Sequence, residues 1–65
     1  MATNISADVA KEHLVDGQDN IKEAVNTIKR VLKSFPDLAP ELTDATTHLT
    51  SARVSLQLAG KRLPT

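Results

Sequence analysis

The chain has 65 residues, eight Lys plus Arg against eight Asp plus Glu, no cysteine and a single aromatic residue, Phe35. A chain this short forms one domain (1–65) and buries only about 60% of the surface it exposes when unfolded, and without cysteine neither disulfides nor thiolate metal sites can make up the missing stability. The two histidines are too few for a structural metal site, the balanced charge sets up no field toward nucleic acid or anionic lipid, and the lack of aromatics removes the faces on which bases and sugars stack.

The start, Met1 to Asp8, has no basic segment leading into an apolar run, and no stretch approaches the roughly 20 apolar residues that span a bilayer. The expected location is therefore the cytoplasm, with no membrane partner. Ser6 or Asn4 can cap a first helix, with Asp8 in its first turn.

From there Ala7, Ala10, Leu14, Gly17, Ile21, Ala24, Ile28, Val31 and Phe35 fall on alternating a and d positions of a seven-residue repeat. The spacing predicts a helix over about 6–34. Gly17, within Asp16-Gly17-Gln18-Asp19-Asn20, is the weak point, because the segment reads locally as a turn and glycine in a helix interior costs about 1 kcal/mol relative to alanine. A break there would give a three-helix bundle. The preserved a/d phase across the site favours one continuous helix. The same segment lacks the alternating ligands and distant Glu of a calcium loop.

Ser34 to Glu41 contains Pro36 and Pro40, each of which biases its predecessor away from helical geometry, so a turn is expected over about 35–40, with Asp37 or Ala39 as cap of the next helix. A second helix follows over about 41–60, on the run Leu38, Leu42, Ala45, Leu49, Ala52, Leu56, Ala59 and Leu63, with Gly60 as its stop signal. The fold class is thus all-α: an antiparallel two-helix hairpin whose heptad seam sets bulky residues at a against small ones at d. This register places Ile21 near Ala52, Ala24 near Leu49 and Ile28 near Ala45. Such a hairpin is expected to dimerise into a four-helix bundle.

Acidic residues gather early in each helix and basic ones late, as the helix macrodipole favours. Lys29, Arg30 and Lys33 form a short basic cluster, but Asp37, Glu41 and Asp44 stand close by in sequence, so nucleic-acid binding is expected to be absent or weak at physiological salt. His13 and His48 both flank the seam. Neither belongs to a nucleophile–base pair, and no glycine-rich phosphate loop is present, so no catalytic, metal or cofactor residue is assigned.

The second helix differs from the first in its outer face. Residues 8–33 carry ten charged side chains, whereas Arg53 is the only formally charged residue between Ala45 and Gly60. Thr47, Ser51, Val54 and Leu58 form an uncharged stripe there, and Val25 and Leu32 widen the apolar wedge of the first helix. These six residues are the expected interface. The functional expectation is a non-catalytic, self-associating interaction module, dimeric and open to another protein: an adaptor, small chaperone or regulatory subunit. The alternative is a small RNA- or DNA-binding regulator on a dimeric hairpin bundle, an analogy of architecture alone.

Overall fold

The computed structural model describes residues 5–64, in the order α1 (Ala7–Ser34), a single turn of 3-10 helix (Pro36–Leu38) and α2 (Ala39–Lys61). The two helices pack side by side as an antiparallel hairpin measuring 46 × 20 × 17 Å.

Ser6 begins α1: its hydroxyl accepts from the Val9 N–H at 3.2 Å, satisfying one of the donors that a helix start leaves without a partner. Asn4, the other candidate cap, lies outside the described residues. Asp8 in the first turn and Lys33 in the last suit the helix dipole. The helix runs unbroken through Gly17, and neither glycine of the chain has a positive φ. That decides against the three-helix alternative.

The turn is tighter than the two prolines suggest. Phe35 leaves helical geometry at φ −131°, ψ 69°, as a residue before proline should, while its N–H still donates to the Val31 carbonyl at 2.9 Å. Ala39 also precedes a proline, yet it takes φ −52°, ψ −41° and opens α2, with Pro40 next in the first turn where its missing N–H costs nothing. Neither Asp37 nor Ala39 caps this helix. Leu38 occupies the cap position without a side-chain hydrogen bond.

Gly60 is not the stop either. It stays within α2, where a Cβ would meet Leu14 Cδ1 at an ordinary 3.9 Å, and the helix ends after Lys61 as the Arg62 N–H turns back to the Ala59 and Gly60 carbonyls. The following Leu63-Pro64 cannot continue the ladder.

The seam keeps the expected register but drifts across the heptad. A Cβ on Gly17 would lie 3.1 Å from Leu56 Cδ1, so a small residue does meet a large one there. Farther along α1, Gln18 joins Gly17 and Val25 joins Ala24 among the half-buried residues, and Leu32 is half-buried where Val31 is exposed. On α2 Leu42, Ala45, Thr46, Leu49, Leu56 and Gly60 are half-buried, whereas Ala52 and Ala59, expected in the seam, are exposed. The cause is the mismatch between 3.6 residues per turn and a 3.5-residue repeat, about 20° per heptad in straight helices.

Three substitutions at the two glycines test this geometry. Gly60→Ala, whose Cβ would meet Leu14 Cδ1 at an ordinary 3.9 Å, should raise stability by about 0.5–1 kcal/mol through helix propensity. Gly17→Ala should gain less, since Leu56 must shift its methyl by a few tenths of an ångström, and Gly17→Leu should cost about 1–3 kcal/mol by overpacking. Thermal unfolding reads all three; equal melting temperatures for the Ala and Leu variants at residue 17 would mean the helices do not meet there. At the other end of the energy scale, Ser6→Ala should cost about 1 kcal/mol, visible as loss of helical circular dichroism and earlier amide exchange in the first turn, with the α2 amides unchanged.

Candidate functional site

A hairpin gives each helix one neighbour, and the consequence here is that no described residue is fully buried. The accessible surface is 5368 Å² for a 7.0 kDa chain, where a compact monomer of that mass exposes about 4,000 Å². The radius of gyration, 15.2 Å, likewise exceeds the roughly 11 Å of a compact chain of this length. The excess surface is where function has to be sought, and helical periodicity divides it into three faces.

The first is the side of α2 turned away from α1. Thr47, Ser51, Val54 and Leu58 all lie exposed on it, with Val54 at 49% and Leu58 at 54%. The Thr47 hydroxyl donates to the Thr43 carbonyl at 3.0 Å, and that of nearby Thr50 to the Thr46 carbonyl at 2.9 Å. Their donors are thus satisfied within the helix, which lowers the cost of removing this surface from water. Val25 and Leu32 are not on this face. Both are half-buried on the α2-facing side of α1, so the six residues singled out from the sequence form two separate surfaces.

The second face is one flank of the seam. Here α1 offers Val9, His13, Asn20, Thr27 and Val31, and α2 offers His48, Ala52, Ser55 and Ala59. Its formally charged residues are few: Glu41, and Asp44 beside His48. Val31, Phe35 and Leu38 are exposed at its turn end, at 40%, 61% and 42%. The a/d repeat predicts seam positions for Ala52, Ala59, Val31, Phe35 and Leu38, but all five are exposed beside the seam. Asp44 and His48 approach at 3.6 Å one turn apart, both largely exposed. This is the only ion pair among the described residues, and it carries charge attraction only when the imidazole is protonated.

The third face is the opposite flank, where two shallow grooves follow the line between the helices. One is lined in part by Lys11, Val15, Gln18, Gln57 and Lys61, the other by Lys22, Val25, Lys29, Thr50 and Arg53. No carboxylate lines either groove. The fold thus gathers cations from both helices, including Arg53, which sequence distance hides, while Arg30 lies on the outer side of α1 beside Glu23.

Among the described residues no group of three or more His, Asp or Glu is placed to hold a metal ion, and no helix is long and apolar enough to cross a membrane. The side-chain hydrogen bonds run to backbone within single helices or to the Ser6 cap rather than between polar side chains. Comparison of the chain with protein-family models, with curated proteins and with solved structures finds no match in any of the three.

Proposed function

We propose that this protein is a non-catalytic interaction module of the cytoplasm: a hairpin that pairs with a second copy as a four-helix bundle and serves as an adaptor, small chaperone or regulatory subunit. The observation that carries the reading is the absence of any fully buried side chain among the described residues. A domain without an interior draws its stability from a further layer, and with no cysteine in the sequence and no metal cluster among the described residues that layer is another polypeptide.

The flank of few charges suits a second copy. It extends the heptad stripe beyond what the hairpin covers, so a two-fold related hairpin laid against it continues the a/d pattern into a bundle core. Its small residues let helices approach closely, and Val31, Phe35 and Leu38 supply apolar area at the turn end. A standard interface removes about 800 Å² per partner, which the excess of roughly 1,300 Å² over a compact monomer accommodates. The face of Thr47, Ser51, Val54 and Leu58 then remains on the outside of the bundle, uncharged and with satisfied threonine hydroxyls, as the surface for another protein.

Sedimentation of two double variants tests the pairing. Ala52 and Ala59 are exposed in the hairpin, so glutamate at both positions costs an isolated chain little. In a bundle it would place four like charges in one contact. Ala52→Glu/Ala59→Glu should therefore lower the mass to that of a monomer and reduce the melting temperature, with Val54→Glu/Leu58→Glu keeping the dimer. If the Val54/Leu58 variant dissociates instead, the outer face of α2 pairs the copies. A wild-type chain that sediments as a stable monomer at all concentrations sinks the proposal.

A further inference from the structure

We infer that the grooved flank of the hairpin is a binding surface for the phosphate backbone of duplex nucleic acid, read without regard to base sequence. Lys11, Lys22, Lys29, Arg53 and Lys61 line its two grooves, five of the eight Lys and Arg of a chain whose net charge is zero. Segregation, not excess, makes this face positive. None of the eight Asp and Glu lines either groove, although Asp8 shares the adjoining concavity with Lys11 and Lys61, and none of the five cations lies within 4.0 Å of a carboxylate among the described residues. Gln18, Gln57, Asn26 and Thr50 add neutral polar groups between the charges.

The layout fits a linear polyanion. Lys11 and Lys29 stand 18 residues apart on one continuous helix, about 27 Å at 1.5 Å per residue, or about eight base pairs at 3.4 Å each. A membrane surface is the weaker fit, because between these cations Val15 is the one large exposed apolar side chain, and interfacial helices bury a broad apolar face. Single-stranded nucleic acid is weaker still, since its binding depends on aromatic platforms and Phe35, the only aromatic, is at the turn. Backbone contacts position a protein on a duplex but carry no sequence information.

Counterion release makes the inference quantitative. Five phosphate contacts give a slope of about −4.5 in log K against log salt, so affinity should fall roughly 500-fold between about 50 and 200 mM salt. The expected binding is therefore clear in dilute buffer and weak at physiological ionic strength. The test uses the full chain and a fluorescent mixed-sequence DNA duplex of about 20 base pairs, followed by anisotropy across that salt range. Lys29→Gln/Arg53→Gln should flatten the slope by about 1.8, as should Lys22→Gln/Lys61→Gln. Arg30→Gln/Arg62→Gln removes the same net charge away from the grooves and should leave the slope unchanged. All the substituted side chains are exposed, and circular dichroism checks that each variant keeps its helices. Equal losses in the groove and control pairs would assign binding to net charge rather than to this face. No binding at the lowest salt, or capture by phosphatidylserine vesicles in place of the duplex, overturns the inference.

Discussion

A layer of two helices has no inside. Each helix can turn only about a third of its circumference toward the other, so a side chain at the seam is covered from one direction and open from the two flanks. That constraint explains why Leu14, Ile21, Ile28, Leu49 and Leu56, placed where a helical stripe should be buried, are only half-covered. Hydrophobic stabilisation scales with the apolar area removed from water, and here every contributor is partial. The hairpin therefore depends more than a globular domain on local devices: the Ser6 cap, the dipole-matched ends of α1, and the close contact of Gly17 with Leu56. The same constraint leaves surface available for a second layer, and the two properties cannot be separated.

The two flanks of the seam differ because the sequence treats them differently at the same spacing. On α1 one flank takes Lys11, Gln18, Lys22 and Lys29, and the other takes His13, Asn20, Thr27 and Val31, one register step away. On α2 Arg53 and Lys61 fall toward the first group, while Ala52, Ser55 and Ala59 fall toward the second. The acidic residues of α1 sit mainly on its outer side, beyond either flank. A charge balance of zero is thus compatible with one positive flank, one flank of few charges and an acidic back. Net charge constrains solubility and long-range steering, but it says nothing about such sorting.

Much of the fold was legible in the repeat. The 4-3 spacing through residues 7–35 marked α1 even across Gly17, because a helix break would have had to restore the phase by accident. The antiparallel register followed from the prolines of the turn and is carried by the Gly17–Leu56 contact. What the repeat could not show is the drift of the contact line. A heptad written on paper keeps Ala52, Ala59 and Val31 in the seam indefinitely, whereas straight helices turn them out and bring Leu32 and Gly60 in. Local rules misled at two points as well. The preference of a residue before proline for extended geometry failed at Ala39, where the first turn of α2 accepts Pro40 next in line, and Gly60 did not stop α2, which runs one residue further to Lys61. The surfaces were partly hidden for a related reason. Val54 and Leu58 stand out because their own helix lacks charge, but the positive flank joins Lys22 and Lys29 to Arg53 across the hairpin, and adjacency in sequence set Lys29 beside Asp37 and Glu41 instead.

The arrangement of these faces links the two functional readings. If copies pair through the flank of few charges, two-fold symmetry turns both grooved flanks outward, on opposite sides of the bundle. Self-association then leaves the cations accessible and doubles their number per particle, so neither activity obstructs the other. Pairing through the grooved flank is disfavoured on simple electrostatic grounds, because it would bring Lys22, Lys29 and Arg53 of one copy against the same cations of the next with no carboxylate between them. In a dimer of this plan the positive flank would act against stacking on its own kind while the flank of few charges would permit it, which would favour a closed pair over an open filament. A dimer of this plan presents two separated backbone-binding surfaces joined by a rigid four-helix layer, and its avidity for a polyanion would come from that spacing rather than from the modest charge of either hairpin alone.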